Sequence, residues 1–334
     1  MTIAIIGAGA IGSVLAAYLT KANIDVILVG RKDHVDVINK NGLKVCGLGE
    51  GEVFSVKAVT QLKEVCELAI FTTKAQDIES VYQDNHEFLE ECDVLSVQNG
   101  VQADSMLGFH FERDKQYSSI ITFGATYCEP GVVSYDYTGD WIVGKPAGML
   151  NQQTHKITEV LSSAFNVVAK SDILHMKWFK LFLDFDYVIP ALINKSLQET
   201  YSDLDLCRLS IAILKEGFEV VEKAGLTLES LPNFPKERIS ELLDIPIDKA
   251  VMSVKNNLTT LSKVSLYGEV LKSLRRCKKS EIEFINGEVV FLAKQMRFNA
   301  PLNEKILDMV NYVESSNNFY TIELVKKEFD LVVV

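Results

Sequence analysis

Short apolar runs alternate with helical patterns along the first half of the chain. The runs occupy residues 3–6, 26–29, 68–72, 94–97 and 120–122. Strands of about five residues separated by helices predict βαβ units and a doubly wound parallel sheet. Two later runs, residues 132–135 and 141–143, flank the turn-forming pair Gly139 and Asp140, which predicts a hairpin appended to the sheet. A last strand is predicted at residues 167–170.

The pattern becomes helical from residue 173 onward. Apolar residues recur every three or four positions over residues 206–223 and 281–296, as in helices that pack one face on a core. A chain of 334 residues has room for about two domains. The sequence therefore predicts an α/β protein, with a doubly wound parallel-sheet domain at residues 1–172 and an all-α domain at residues 173–334. Residues 331–334 are apolar, and their pattern leaves open whether they pack on this domain.

Charge and cysteine usage exclude several classes of function. The chain has 45 acidic and 34 basic residues and a net charge of −11, whereas a general nucleic-acid binder needs an excess of Lys and Arg. The six cysteines lie far apart without metal-ligand spacing, which predicts free thiols in a reducing compartment and no metal site. The N-terminus lacks signal-peptide features, and no apolar run approaches the ~20 residues of a membrane span. We therefore expect a cytoplasmic protein without nucleic-acid or membrane partners.

A glycine-rich turn follows the first predicted strand. Residues 7–12 read Gly-Ala-Gly-Ala-Ile-Gly, and a helical pattern begins at once after them. Gly7 permits a tight turn, Gly9 leaves room for a pyrophosphate, and Gly12 lets helix and strand approach closely. The helix start, with Ala10 and Ile11, offers N–H donors and a positive dipole end. The turn predicts a dinucleotide site of the Rossmann type; a glycine-rich helix start without a ligand is the alternative.

The residues after the second predicted strand bear on the choice of dinucleotide. NAD-binding proteins usually carry an Asp or Glu there for the ribose hydroxyls. This chain has Gly30, Arg31 and Lys32 instead. A guanidinium group pairs well with a phosphate and can stack on adenine. Arg31 therefore predicts NADP(H) rather than NAD, and an ordinary exposed basic loop is the alternative.

Three further polar residues are candidates for chemistry. Lys74 and Asn99 lie just past the ends of consecutive predicted strands, where open α/β sheets bind ligands; loop residues that only cap the next helices are the alternative. Lys180 lies in a strongly apolar stretch. Apolar surroundings lower the pKa of an ammonium group toward the range useful for a general acid. A lysine that snorkels at a helix end is the alternative.

Several motifs line up in order along the chain. They are Thr-Thr-Lys at 72–74, Gln-Asn-Gly at 98–100, Thr-Phe-Gly-Ala-Thr at 122–126, Trp-Phe-Lys-Leu at 178–181 and Ser-Glu-Ile-Glu-Phe-Ile-Asn-Gly at 280–287. The ordered set, over residues 1–315, resembles the ketopantoate reductase (2-dehydropantoate 2-reductase) family. The resemblance implies a Rossmann domain, a helical domain and an active site in the cleft between them. It also implies NADPH-dependent reduction of a small-molecule 2-oxo acid to a D-2-hydroxy acid.

The resemblance also implies roles for individual residues. Lys180 matches the family's catalytic lysine, which donates a proton to the new alcohol. Glu281 matches a functional glutamate that contacts the substrate, although a carboxylate favoured by a helix dipole is the alternative. The implied coenzyme-binding residues are Gly7, Gly9, Ala10, Ile11, Gly12, Arg31, Lys74, Asn99 and Ala125, and the implied substrate-binding residues are Asp184, Ser265 and Asn99.

Two substrate-facing positions depart from the family pattern. The family carries Asn four and eight residues after the catalytic lysine, on the same helix face, where this chain has Asp184 and Val188. The i,i+4 spacing predicts an ion pair between Asp184 and Lys180. Asp184 would repel a substrate carboxylate, and Val188 cannot bond a substrate hydroxyl. A paralogue that reduces a different branched 2-oxo acid and a non-catalytic NADP(H)-binding sensor are therefore the alternatives, and a homodimer through the helical domain is a further expectation.

Overall fold

The computed structural model of the protein describes residues 1–330. The apolar C-terminal segment 331–334, whose packing the sequence leaves open, lies outside the described residues. The chain forms two compact units by its internal contacts, one over Met1–Leu174 and one from His175 onward. The first unit holds all the strands described below, and the second is helical. The predicted fold class is therefore confirmed.

The first unit contains twelve strands among the described residues. They are β1 (Thr2–Ile6), β2 (Asp25–Val29), β3 (Leu43–Gly47), β4 (Glu52–Phe54), β5 (Lys57–Val59), β6 (Leu68–Phe71), β7 (Asp93–Ser96), β8 (Gln116–Ile121), β9 (Gly124–Glu129), β10 (Val132–Tyr137), β11 (Asp140–Gly144) and β12 (Asn166–Ala169). The helices of the unit are α1 (Ala10–Lys21), α2 (Lys32–Asn41), α3 (Ile78–Asn85), α4 (Gln102–Gly108) and α5 (Gln152–Ser162).

The main sheet has eight strands in the order β12-β11-β8-β7-β6-β1-β2-β5. Its strands pair in parallel, except that β11 runs antiparallel to β8. The central strands are apolar at nearly every position because both of their faces are covered. Ile3, Ile5, Leu28 and Ile70 belong to one buried cluster with the apolar face of α1, including Leu15.

The predicted hairpin is wrong in its partners. Strand β10 pairs antiparallel with β9, across a turn in which Gly131 has φ +78°, and both belong to a second sheet of order β4-β3-β10-β9. The run 141–143 instead joins the main sheet as β11. Trp141 and its two apolar neighbours are fully buried, so they need a place covered on both faces. The pair Pro130-Gly131 is the turn signal that would have found the hairpin.

The second unit is built from ten helices among the described residues. They are α6 (Ile173–Asp184, whose first two residues belong to the first unit), α7 (Val188–Ile193), α8 (Leu197–Thr200), α9 (Leu204–Lys223), α10 (Glu237–Asp244), α11 (Ile247–Thr260), α12 (Glu269–Arg275), α13 (Asn286–Gln295), α14 (Pro301–Ser316) and α15 (Ile322–Glu328). The long helix α9 packs against α11, α13 and α14. Asp203 caps it by accepting hydrogen bonds from the N–H groups of Asp205 and Leu206.

The helix that carries Lys180 is interrupted. Helix α6 ends at Asp184, a 3₁₀ turn covers Phe185–Tyr187, and α7 begins at Val188. Pro190 has no N–H with which to bond the carbonyl of Asp186 four residues before it, and the hydroxyl of Tyr201 donates to that carbonyl instead, at 2.9 Å. Asp184 therefore lies on the same helix as Lys180, one turn further on, whereas Val188 lies beyond the 3₁₀ turn and not on a continuous α-helix with them.

A second predicted helix is also shorter than its pattern. Residues 282–284 form a 3₁₀ turn, Ile285 has a non-helical backbone (φ −119°, ψ −94°), and α13 begins only at Asn286. Glu281 therefore precedes a turn rather than opening a long helix. Among residues 1–330, no helix combines the length and the apolarity that a membrane span requires.

Candidate active site

The carboxyl ends of four parallel strands gather the coenzyme candidates at one sheet edge. The strands β7, β6, β1 and β2 are neighbours in that order and pair in parallel register. Asn99 follows β7, Lys74 follows β6, the turn 7–12 follows β1, and Arg31 follows β2. The structure therefore brings these residues to the edge where open α/β sheets bind ligands.

The glycine turn has the geometry that its spacing predicts. Gly7 has φ +124°, and its N–H donates to the carbonyl of Val29 at 3.0 Å. A Cβ on Gly7 would lie 2.7 Å from the nitrogen of Thr73, and a Cβ on Gly12 would overlap the carbonyl oxygen of Gly7. A Cβ on Gly9 would meet no atom of the described chain within 4 Å. Gly7 and Gly12 are therefore required by the fold, whereas the fold does not require Gly9.

This open space fits a dinucleotide. Gly9 is the N-cap of α1 and has no side chain with which to cap the first-turn N–H groups of Ala10, Ile11 and Gly12. Uncapped helix N–H groups and the positive dipole end favour a phosphate. The hydroxyl of Thr72 donates to the carbonyl of Gly7 at 2.6 Å and so ties the turn to the end of β6. Packing does not explain the absence of a Cβ at residue 9, and the space that it leaves open would fit a pyrophosphate.

Two buried polar atoms beside this edge lack a partner within the described chain. They are Oγ1 of Thr73 and Oε1 of Gln98. The amide nitrogen of Gln98 donates to the carbonyls of Phe71 and Thr73, at 2.9 and 3.0 Å. These bonds join the segment that carries Lys74 to the segment that carries Asn99. Buried acceptors without partners are costly, and a bound polar ligand would satisfy them.

Arg31 and Ala125 differ in how the structure places them. Arg31 is the N-cap residue of α2, and its side chain is exposed beside the glycine turn. Ala125 lies in β9 of the second sheet, where it pairs with Tyr135 and packs partly buried against the first unit's core. Strand β9 begins at Gly124, three residues after β8 ends at Ile121, and β8 pairs in parallel with β7, so Ala125 also follows a carboxyl end of the main sheet.

Lys180 and Asp184 form the ion pair that their spacing predicts. Nζ of Lys180 lies 2.9 Å from Oδ2 and 3.1 Å from Oδ1 of Asp184, with 19% and 25% of the two side chains exposed. The neighbouring side chains Trp178, Phe179 and Leu181 are buried. Lys180 is thus a partly exposed ammonium group held one turn from a carboxylate, with apolar side chains on either side of it in the sequence.

Asp186 is an acidic residue that none of the sequence motifs above includes. Burial and, secondarily, the charge of Asp184 raise the pKa of Asp186 to about 7. A carboxyl group with a pKa in this range can exchange protons near neutral pH. Its signal in the sequence is the acid-Phe-acid pattern of 184–186 directly after an apolar helix.

Ser265 is exposed in the loop between α11 and α12. The side chain of Gln198 holds this loop, since its amide donates to the carbonyl of Val264 at 2.9 Å and its oxygen accepts from the N–H of Leu266 at 3.0 Å. At the end of the loop Gly268 approaches Tyr187 so closely that a Cβ would collide with that side chain. The Ser265 loop therefore packs beside the 3₁₀ turn that follows Lys180 and Asp184.

Glu281 lies partly buried before the 3₁₀ turn Ile282–Phe284. Its main-chain carbonyl accepts the N–H of Phe284 at 2.9 Å, which begins that turn. Helix α13, which follows, packs against α9 and α14. The backbone of Glu281 is thus anchored in the helical core, as a fixed functional carboxylate requires.

Comparison with known proteins assigns both halves of the chain to one family. The family model described as Ketopantoate reductase PanE/ApbA matches residues 3–148, and the model of the C-terminal part, Ketopantoate reductase PanE/ApbA C terminal, matches residues 172–314. The 2-dehydropantoate 2-reductase of Pyrococcus horikoshii is 27% identical over 321 residues, covering 94% of this chain and 98% of that protein. The corresponding enzyme of Archaeoglobus fulgidus is 29% identical over 316 residues, covering 93% and 97%.

Solved structures share the fold at lower sequence identity. A PanE/ApbA family ketopantoate reductase from Ralstonia eutropha JMP134 has a TM-score of 0.80 and 22% identity, covering 94% of this chain and 99% of that one. A D-mandelate dehydrogenase with NADH and anilino(oxo)acetate has a TM-score of 0.82 and 19% identity, covering 95% and 99%. Because both family models match and together span most of the chain, the protein belongs to the ketopantoate reductase family.

Proposed function

We propose that the protein is an NADPH-dependent reductase that converts a 2-oxo acid into a D-2-hydroxy acid, with Lys180 as the proton donor. The observation that carries the proposal is the partly exposed ammonium group of Lys180, held at 2.9 Å by Asp184 on a helix whose other side chains are largely buried. The curated relatives are named 2-dehydropantoate 2-reductase, and the family consists of oxidoreductases that act on a CH–OH group with NADPH.

The residues at the sheet edge would hold the coenzyme. The first-turn N–H groups of α1 after Gly9 would bind the pyrophosphate, and Arg31 would bind the 2′-phosphate, for which a planar guanidinium is well suited. Lys74 and Asn99 would lie toward the nicotinamide and the substrate. When bound, the coenzyme supplies a hydride to the carbonyl carbon of the substrate.

Proton transfer completes the reduction. Addition of a hydride to a ketone leaves negative charge on the oxygen, so one proton must follow to give the hydroxy acid. A nearby ammonium group stabilises that developing charge and then donates the proton. Nζ of Lys180 would do both, while the carboxylate of Asp184 accepts its hydrogen bonds and fixes its direction. Glu281, Ser265 and Asn99 would contact the substrate.

Val188 supports a substrate other than ketopantoate, because its aliphatic side chain cannot bond a substrate hydroxyl. Asp184 does not distinguish between 2-oxo acids, since its carboxylate offsets the ammonium charge of Lys180 and repels the carboxylate of each of them. The proposal therefore includes a branched 2-oxo acid without the hydroxyl group of ketopantoate. A cytoplasmic location stays a prediction from cysteine usage and the N-terminal pattern, and a homodimer through the helical domain stays a prediction of the resemblance. The separate roles of residues 1–172 and 173–334 also stay predictions.

A substrate panel tests this function. Purified protein would be mixed with NADPH, or with NADH for comparison, and with ketopantoate or one of several branched 2-oxo acids. Oxidation of the coenzyme would be followed by absorbance and the product analysed on a chiral column. We expect turnover with at least one acid, a D product and a preference for NADPH. NADPH binding without turnover on any acid would support the sensor alternative, and no coenzyme binding would overturn the proposal.

A further inference from the structure

His34 is a buried residue of α2 that the coenzyme site described above does not use. It lies one turn after Arg31 on the same helix, and 2% of the residue is exposed. A histidine so deeply buried must have both ring nitrogens accounted for. Its partners determine which of them carries the proton.

The two ring nitrogens of His34 bond to two other segments. The N–H of Gly131, in the turn between β9 and β10, donates to Nδ1 at 2.8 Å. Nδ1 must therefore be unprotonated, so Nε2 carries the hydrogen and donates to the hydroxyl of Ser13 at 3.1 Å. The ring also packs on Tyr127 of β9, with centroids 5.0 Å apart.

These contacts connect His34 to the segments that form the proposed coenzyme site. Ser13 directly follows Gly12 in the first turns of α1, whose N–H groups would bind the pyrophosphate. Arg31 begins the helix that carries His34 and would bind the 2′-phosphate. The neutral imidazole thus joins the two helix starts that the proposed coenzyme site depends on, and it joins both to the β9–β10 turn.

Protonation is incompatible with this arrangement. A charged imidazole has N–H donors at both nitrogens, so Nδ1–H would face the donor N–H of Gly131. Burial lowers the pKa of His34, and the negative charge of Asp33 in α2 opposes this in part. The groups that face the ring from other elements are the phenol of Tyr127, the hydroxyl of Ser13 and the amide of Gly131. All three are neutral near pH 7 and cannot balance a buried positive charge.

We propose that neutral His34 is a positioning residue for coenzyme binding, which holds the start of α1, the start of α2 and the β9–β10 turn together. Protonation of His34 breaks these contacts, so the three segments move apart and the coenzyme binds more weakly. The inference rests on the proposed function, because it concerns the same dinucleotide site. The inference predicts that the affinity for the coenzyme falls as the pH falls below the ordinary pKa range of histidine.

The test compares coenzyme binding in the wild type and in His34→Gln. Dissociation constants for NADH and NADPH would be measured by nucleotide fluorescence between pH 8 and pH 5.5. NADH has no 2′-phosphate, whereas that phosphate of NADPH itself gains a proton at about pH 6. For NADH we expect the dissociation constant of the wild type to rise about three- to tenfold on acidification, because the contribution of about one hydrogen bond is lost. The dissociation constant of His34→Gln for NADH should not change. For NADPH the dissociation constants of both proteins should rise, and that of the wild type should rise more.

The outcomes separate the two proposals. Parallel pH curves for the wild type and His34→Gln would overturn the role of His34 while leaving the proposed function intact. Failure of the wild type to bind either nucleotide at pH 8 would overturn the proposed function. If His34→Gln does not fold, ¹⁵N NMR of the wild-type imidazole decides the matter. We then expect an unprotonated Nδ1 at pH 8 and a titration that coincides with the loss of affinity, and a protonated Nδ1 at pH 8 would refute the proposal.

Discussion

Nζ of Lys180 lies within hydrogen-bond distance of both carboxylate oxygens of Asp184, at 2.9 and 3.1 Å, one turn along α6. Both side chains remain partly exposed, at 19% and 25%. An ion pair in such a position contributes about 1 kcal/mol or less to stability. The fold therefore has little need of this pair. In the proposed mechanism its effect would fall mainly on the charge that Lys180 presents to a substrate.

Replacing Lys180 by Met should abolish most of the turnover. Loss of a general acid lowers the rate about 10²–10⁴-fold, while NADPH affinity should stay within about threefold because the coenzyme candidates lie in the other unit. Stopped-flow measurement of NADPH oxidation and fluorescence binding check both expectations. The control is Lys195→Met, which removes a lysine from a similar i,i+4 pair with Glu199 on the same unit. An unchanged rate in Lys180→Met would remove this residue from the mechanism.

Replacing Asp184 by Asn should favour substrates that carry a carboxylate. Removal of one negative charge beside Lys180 lowers the repulsion, and an effect of about 1 kcal/mol corresponds to about a fivefold lower KM. Steady-state kinetics with the best 2-oxo acid of the panel measures it. Glu199→Gln is the matched control and should leave KM unchanged. A higher KM in Asp184→Asn would show that the carboxylate assists binding instead.

Two glycine substitutions should separate folding from coenzyme binding. Gly12→Ala places a Cβ on the carbonyl oxygen of Gly7 and should cost about 2 kcal/mol or more of unfolding free energy. Gly9→Ala meets no atom of the described chain within 4 Å and has an ordinary backbone conformation, so stability should change by less than about 1 kcal/mol. Chemical denaturation measures the stabilities, and calorimetry measures NADPH binding.

The informative result comes from Gly9→Ala. We expect this variant to fold as the wild type does and yet bind NADPH at least about tenfold more weakly, because its Cβ occupies the pyrophosphate's space. Wild-type affinity in Gly9→Ala would argue against a dinucleotide on this turn.

Replacing Arg31 by Ala should reduce the preference for NADPH over NADH. Hydrogen bonds between charged groups contribute about 1.5–3 kcal/mol, so the dissociation constant of NADPH should rise about 10–150-fold while that of NADH hardly changes. Lys40→Ala, at the opposite end of α2, is the control for net charge. Equal losses for both nucleotides would contradict a contact between Arg31 and the 2′-phosphate.

Asp186 should make the helical unit less stable as the pH rises. The pKa of Asp186 is raised from 3.8 to about 7 by burial and by Asp184. The native state therefore binds more protons than the unfolded state between these values, and stability falls as the pH rises from about 4 to about 7. Asp186→Asn should remove this slope and be more stable than the wild type at pH 8, by up to a few kcal/mol. Urea denaturation at several pH values measures the unfolding free energy of both proteins. The same pH dependence in the wild type and in Asp186→Asn would contradict the prediction.

Local patterns were most reliable where one short segment forms an element alone. The strand–glycine turn–helix at the N-terminus and the i,i+4 pair of Lys180 and Asp184 follow from spacing within one segment, and both are observed. The partners of β10 and β11 depend on which distant strands have free edges. The local pattern therefore predicts a hairpin between them, although the turn at Pro130-Gly131 joins β9 to β10 instead.

The amino-acid sequence by itself determined the two-part architecture, the strand–glycine turn–helix at the N-terminus and the pairing of Lys180 with Asp184, because each follows from periodicity or from residue type at a fixed local spacing. Only the tertiary structure decided the break of α6 after Asp184, where Tyr201 takes the carbonyl that Pro190 cannot bond. The raised pKa of Asp186 and the position of His34 between Ser13 and Gly131 likewise depend on the tertiary structure. Pro190 and the acid-Phe-acid pattern of 184–186 are local signals, but burial and hydrogen-bond partners that are distant in sequence determine these features, and local patterns do not specify such partners.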